Sequence, residues 1–139
     1  MSYPDKITKT MKEFRYFSPK IVPEAVSILS KLDGKAKVLA GGTDLLPLMK
    51  QRAITPGSVV NIKKIPGLAY IREDAEGLKI GALTTIADIK ESDLIKQKCL
   101  SLHEATKKFG TPLVRNMATI GGNICRSSPS ADTVPPLMA

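Results

Sequence analysis

Apolar positions along this chain come in short runs, and their spacing alternates between strand-like and helix-like. The first run, FRYFSP from Phe14 to Pro19, predicts a short strand closed by proline. In VPEAVSILSKLDG the residues Val22, Ala25, Val26 and Leu29 recur at helical spacing, Pro23 suits a first turn, and Gly34 is placed to end the helix. KAKVLAGG predicts a strand running into two glycines. TDLLPLMKQR predicts a helix opening at Thr43 or Asp44, with Pro47 tolerated in its first turn. SVVNI, Ser58 to Ile62, is another buried strand. Strand, helix, strand, helix, strand in this order implies a small parallel sheet with right-handed crossovers.

Past IPG the pattern changes. LAYIRED and LKIGALT flank a polar AEG, which predicts an antiparallel hairpin from Leu68 to Thr84. TIADIKES predicts one helix and DLIKQKCLSLHEATKKFG a second, longer one. Leu94, Ile95, Cys99, Leu102 and Ala105 form the apolar face of that longer helix. Gly110 closes it and TPL breaks any continuation. A polar glycine loop follows, and ADTVPPLMA then starts a helix. The expected organisation is a βαβαβ unit over 1–64 and a mixed, antiparallel α+β unit over 65–139, with the boundary near 63–67.

Composition narrows the class. An apolar fraction of 42% and a charged fraction of 24% suit a globular domain. No window is apolar for long enough to span a bilayer, and the first residues lack the apolar core of a signal peptide, so a cytoplasmic location is expected. Cys99 and Cys125 are too few for a disulfide framework, and no CxxC pair points to zinc. The net charge of +8 suggests an anionic partner. Its basic residues are scattered, and aromatics make up only 4% of the chain, so nucleic-acid binding is not favoured. His103 lies in the predicted long helix beside the apolar face, where a packed or solvated histidine is expected rather than a catalyst.

Candidate chemistry sits in two glycine pairs. Gly41-Gly42 follows a strand and precedes a helix, where glycine allows a tight turn and close approach of a ligand to main-chain amides. Neither the G-x-G-x-x-G fingerprint nor a phosphate-loop lysine pattern is present, so a plain turn and an anion site both remain open for this pair alone. Gly121-Gly122 lies between Thr119 and Asn123, with Arg115 and Arg126 bracketing it and the carboxylate of Asp132 beyond, suited to a ribose hydroxyl. Two such loops could grip a long ligand with a central diphosphate from both sides.

VLAGGTDLLPLMK, LKIGALTT and GTPLVRNMATIGGNICRSSPSADTVPPLMA together resemble the FAD-binding subunit of the molybdenum hydroxylases, the family of the xanthine dehydrogenase flavin domain and the medium subunit of aerobic carbon monoxide dehydrogenase. The resemblance runs from about Phe14 to Ala139. It implies a two-subdomain α+β fold of the molybdopterin dehydrogenase type, with FAD held between the halves. Ala40, Gly41, Gly42, Thr43, Asp44 and Leu45 then match the first pyrophosphate loop. Thr119, Ile120, Gly121, Gly122 and Asn123 match the second FAD loop, and Asp132 matches a carboxylate on the adenosine side. Phe109 falls where relatives can place a side chain near the flavin ring.

The resemblance also implies a FAD-dependent oxidoreductase subunit that is active only in a complex. A molybdenum cofactor in a large subunit and [2Fe-2S] clusters in a small subunit would be its partners, with an external electron acceptor. The family's subunits continue into a C-terminal domain that this chain lacks, so a truncated, non-catalytic interaction fragment is an alternative expectation. Another flavoenzyme of the same broad fold is a further one. No cysteine follows Cys125, so the cluster-binding loop of the aromatic-thioester reductases is not expected.

Overall fold

The computed structural model describes residues 11–126 and 133–138. Its first part runs β1 (Arg15–Phe17), α1 (Val22–Lys31), β2 (Ala36–Leu39), α2 (Leu45–Lys50) and β3 (Ser58–Asn61). The three strands form a parallel sheet in the order β1-β3-β2, so the last strand lies between the first two. All four residues of β3 are buried, as a β-branched run covered on both faces requires. Val59 packs with Leu39 and Met49, and Leu45 and Leu46 close that side. The neighbouring Val60 points to the opposite face and is also fully buried. Of the apolar stripe expected on α1, Ala25 is buried, but Val22 and Val26 are exposed. α2 begins at Leu45, and the Asp44 side chain makes no capping bond to it.

The second part opens with an antiparallel hairpin of β4 (Ile71–Asp74) and β5 (Gly77–Ile80). Two further bonds, from the Gly81 amide to the Tyr70 carbonyl at 2.8 Å and from the Leu83 amide to the Leu68 carbonyl at 2.7 Å, extend the pairing over the whole expected span. Helices α3 (Ile86–Glu91), α4 (Asp93–Lys98), α5 (Leu100–Lys108), α6 (Pro112–Met117), α7 (Ile120–Arg126) and α8 (Val134–Met138) follow. Their shared core is Ile86, Ile89, Ile95, Leu102, Ala118 and Ile120, with Ile71, Leu78 and Ile80 of the hairpin packed against it. Each fully buried isoleucine contributes about 1.5–3 kcal/mol as an upper bound.

Two expectations are corrected. The long helix is two helices, broken at Cys99 (φ −143°, ψ 67°), so that α4 and α5 fold round α3 and contact it separately. Neither glycine nor proline marks this break; tertiary packing overrides local propensity. As expected, the helix does not continue through Gly110 and TPL; a separate helix, α6, starts at Pro112, because proline is favoured at a first helical position and Thr111 caps the turn by accepting from the Val114 amide. Gly121 and Gly122 belong to α7 rather than to a loop. The Thr119 hydroxyl accepts the Gly122 amide at 3.2 Å and so organises the first turn of that helix.

Candidate functional site

The carboxyl ends of parallel strands are where such sheets present ligand sites, and β2 and β3 both end at a cleft of about 390 Å³. From the β2 end come Ala40 and Gly41, and from the β3 end come Lys63, Ile65, Pro66 and Gly67. Leu83 and Thr85 join from the segment after β5, and Asn116, Met117 and Thr119 from the α6–α7 junction.

Main-chain contacts fix this arrangement. A Cβ on Gly41 would collide with the Met117 carbonyl oxygen and lie 2.9 Å from the Ala118 Cα. The turn after β2 therefore sits directly against the α6–α7 junction. Gly42, with φ +83°, turns the chain into α2 in a conformation that side chains disfavour. The junction is itself tied to the segment after β5. Thr85 and Thr119 form an isolated antiparallel bridge. The Ile86 amide donates to the Ala118 carbonyl, and the Ile120 amide to the Thr84 carbonyl, both at 3.0 Å.

The two glycine pairs differ in their hydrogen bonding. Among the described residues, the amides of Gly41, Gly42, Thr43, Asp44 and Leu45 make no hydrogen bond. Five consecutive donors without partners suit an anion with several oxygens. In the second pair, the Gly121 amide donates to the Ala82 carbonyl at 2.9 Å and the Gly122 amide to the Thr119 hydroxyl. The Asn123 amide donates to the Thr119 carbonyl, and its side-chain oxygen accepts from the Thr133 hydroxyl. Thr119 is the member of TIGGN that lines the cleft. Gly121 instead provides close packing, since a Cβ there would lie 2.7 Å from the Ala82 carbonyl oxygen.

The remaining expected residues are dispersed. Leu45 packs against the core beside the sheet, and Ile120 and Phe109 belong to the second core. Thr43 is half-buried, and the Asp44 side chain is exposed. Asp132 lies outside the described residues. His103 is buried within α5, as a packed histidine, and does not line the cleft. Lys63, Asn116 and Met117 were not singled out from sequence for this site. Lys63 could have been found by asking which basic residue directly follows a parallel strand.

A βαβαβ unit that brings free turn amides to a cleft against a second α+β unit defines a nucleotide-cofactor type of site. Residues 12–139 match the family described as the FAD binding domain in molybdopterin dehydrogenase, and the chain belongs to that family. The chain is 43% identical over 119 residues to the carbon monoxide dehydrogenase medium chain of Hydrogenophaga pseudoflava, covering 86% of this chain and 42% of that one. It is 38% identical over 125 residues to the nicotinate dehydrogenase FAD-subunit of Eubacterium barkeri, covering 89% and 42%. A structure of reconstituted CO dehydrogenase from Oligotropha carboxidovorans superposes with a TM-score of 0.86 at 37% identity, covering 89% of this chain and 43% of that one. The chain thus spans less than half the length of these relatives. Among the described residues, no helix is long and apolar enough to cross a membrane.

Proposed function

We propose that this chain holds FAD in the cleft between its two glycine-bearing segments, as the flavin-carrying part of a molybdenum hydroxylase. The observation that carries the reading is the run of amides from Gly41 to Leu45 without partners among the described residues, which starts at the cleft wall with Gly41. These amides, with the Thr43 hydroxyl, would hold the diphosphate. Thr119 would meet the cofactor from the opposite wall, and Asp132 would accept from the adenosine side. The units 1–64 and 65–139 are, on this reading, the two subdomains that grip the cofactor. When bound, FAD supplies redox chemistry that protein side chains lack. The chain itself binds and orients the cofactor and keeps water from part of it. Leu83, Ile65 and Met117 line the cleft with apolar surface suited to that exclusion.

Similarity to medium chains and FAD subunits supports a place in a larger cytoplasmic assembly. A large subunit with the molybdenum cofactor and a small subunit with [2Fe-2S] clusters would be the partners, and an external acceptor would take the electrons. The test is a visible spectrum of the protein as purified, followed by amide hydrogen exchange with and without added FAD. Flavin absorption and slowed exchange at 40–45 are expected; unchanged exchange there would refute the assignment.

A further inference from the structure

The geometry points to Lys63 as the counter-charge for the anionic part of the ligand in this cleft, a role that rests on the FAD reading above. Lys63 is the one charged residue among those lining the cleft; the other walls are apolar side chains, glycines, two threonines and an asparagine. It is exposed, and none of the ion pairs among the described residues involves it. Its main chain, by contrast, is held firmly. The Lys63 amide donates to the Asn61 side-chain oxygen at 3.0 Å. Asn61 is buried and donates in turn to the Tyr16 hydroxyl at 2.6 Å. The Ile62 amide donates to the Leu39 carbonyl at 3.1 Å, tying this exit from β3 to the end of β2.

Lys63 and Gly41 therefore enter the cleft from adjacent parallel strands, one bringing an exposed ammonium and the other the start of the row of free amides. An ammonium gains most from a phosphate oxygen where no carboxylate competes for it. Amides without formal charge can orient a diphosphate but leave its net charge uncompensated, and Lys63 supplies that compensation.

The test uses the protein purified as it occurs and freed of flavin, with Lys63→Ala, Lys63→Gln and Lys63→Arg variants titrated with FAD, ADP and adenosine. The site is exposed, so all three variants should fold, which circular dichroism checks. The Ala and Gln variants are expected to bind FAD and ADP about tenfold more weakly. Lys63→Arg should retain affinity, adenosine binding should not change, and raising the salt concentration should narrow the gap. If wild type shows slowed exchange at 40–45 on adding FAD but the Ala and Gln variants bind FAD like wild type, the role of Lys63 is overturned and the FAD reading stands. If wild type shows no slowed exchange there, the FAD reading fails and this inference fails with it.

Discussion

Gly41 shows how one absent side chain can decide a site. Alanine there would drive a methyl group into the Met117 carbonyl and against the Ala118 Cα, both main-chain atoms that cannot rotate away. Gly41→Ala is expected to cost about 1–3 kcal/mol, read as a lower urea midpoint with an unchanged slope. Gly57 is the matched control. Its Cβ position is open and its backbone conformation is one any residue adopts. Gly57→Ala should therefore be neutral or stabilise by about 0.4–1 kcal/mol in the same measurement. The first glycine pair was legible as a site because strand, glycines and helix follow one another directly. Lys63 carries no motif among the chain's twenty-one basic residues, and only its place just past the predicted strand Ser58 to Ile62 sets it apart.

At the scale of elements, α3 is set by a capping box in which Thr85 and Asp88 each accept the other's amide. Thr85→Ala should cost about 1 kcal/mol in urea unfolding, and Thr85→Ser should keep most of the stability. The β4–β5 turn carries a charge cluster. The Lys79 ammonium holds the Asp74 carboxyl below its ordinary range, and Asp74 and Glu76 hold Lys79 above its own. The Asp74 contribution is present above the ordinary carboxylate range and is lost as the pH falls through its lowered value. The Lys79 contribution is present below the ordinary lysine range and is lost as the pH rises through its raised value. The turn should thus be tightest between those limits. Lys79→Gln should flatten the acid side of the pH dependence of hairpin amide exchange, and salt should weaken the effect because these groups are partly exposed. The hairpin itself was legible because alternation and a polar turn are local signals. The break at Cys99 was not, because α3 imposes it from outside the segment. Pro112 was legible as a stop to the preceding helix, and the same fixed ring conformation makes it a good first residue of the next one.

For the whole molecule, two separate cores flank the cleft, one built on Leu39, Met49 and Val59, the other on the helices after the hairpin. Ile86→Ala, in the second core, should cost about 2–5 kcal/mol while leaving the parallel sheet's own contacts intact. Under the proposed function, free FAD at about a hundred times its dissociation constant should raise stability by about 2.7 kcal/mol, seen as a concentration-dependent rise in Tm. The two-part order was legible because the alternation of strands and helices changes character after β3, and the two glycine segments were expected to face one ligand, whereas their direct main-chain contact was not legible, since it joins residues 41 and 117, far apart along the chain. That contact consists of a missing side chain facing two main-chain atoms, and it carries no chemistry specific to one partner. Chimeras that join the first half of one relative to the second half of another, spliced in the turn around Ile65, would meet there as their parents do. Any mismatch between such swapped halves would arise elsewhere in the cleft walls, and modular exchange would be easiest at the very point where the two parts come closest.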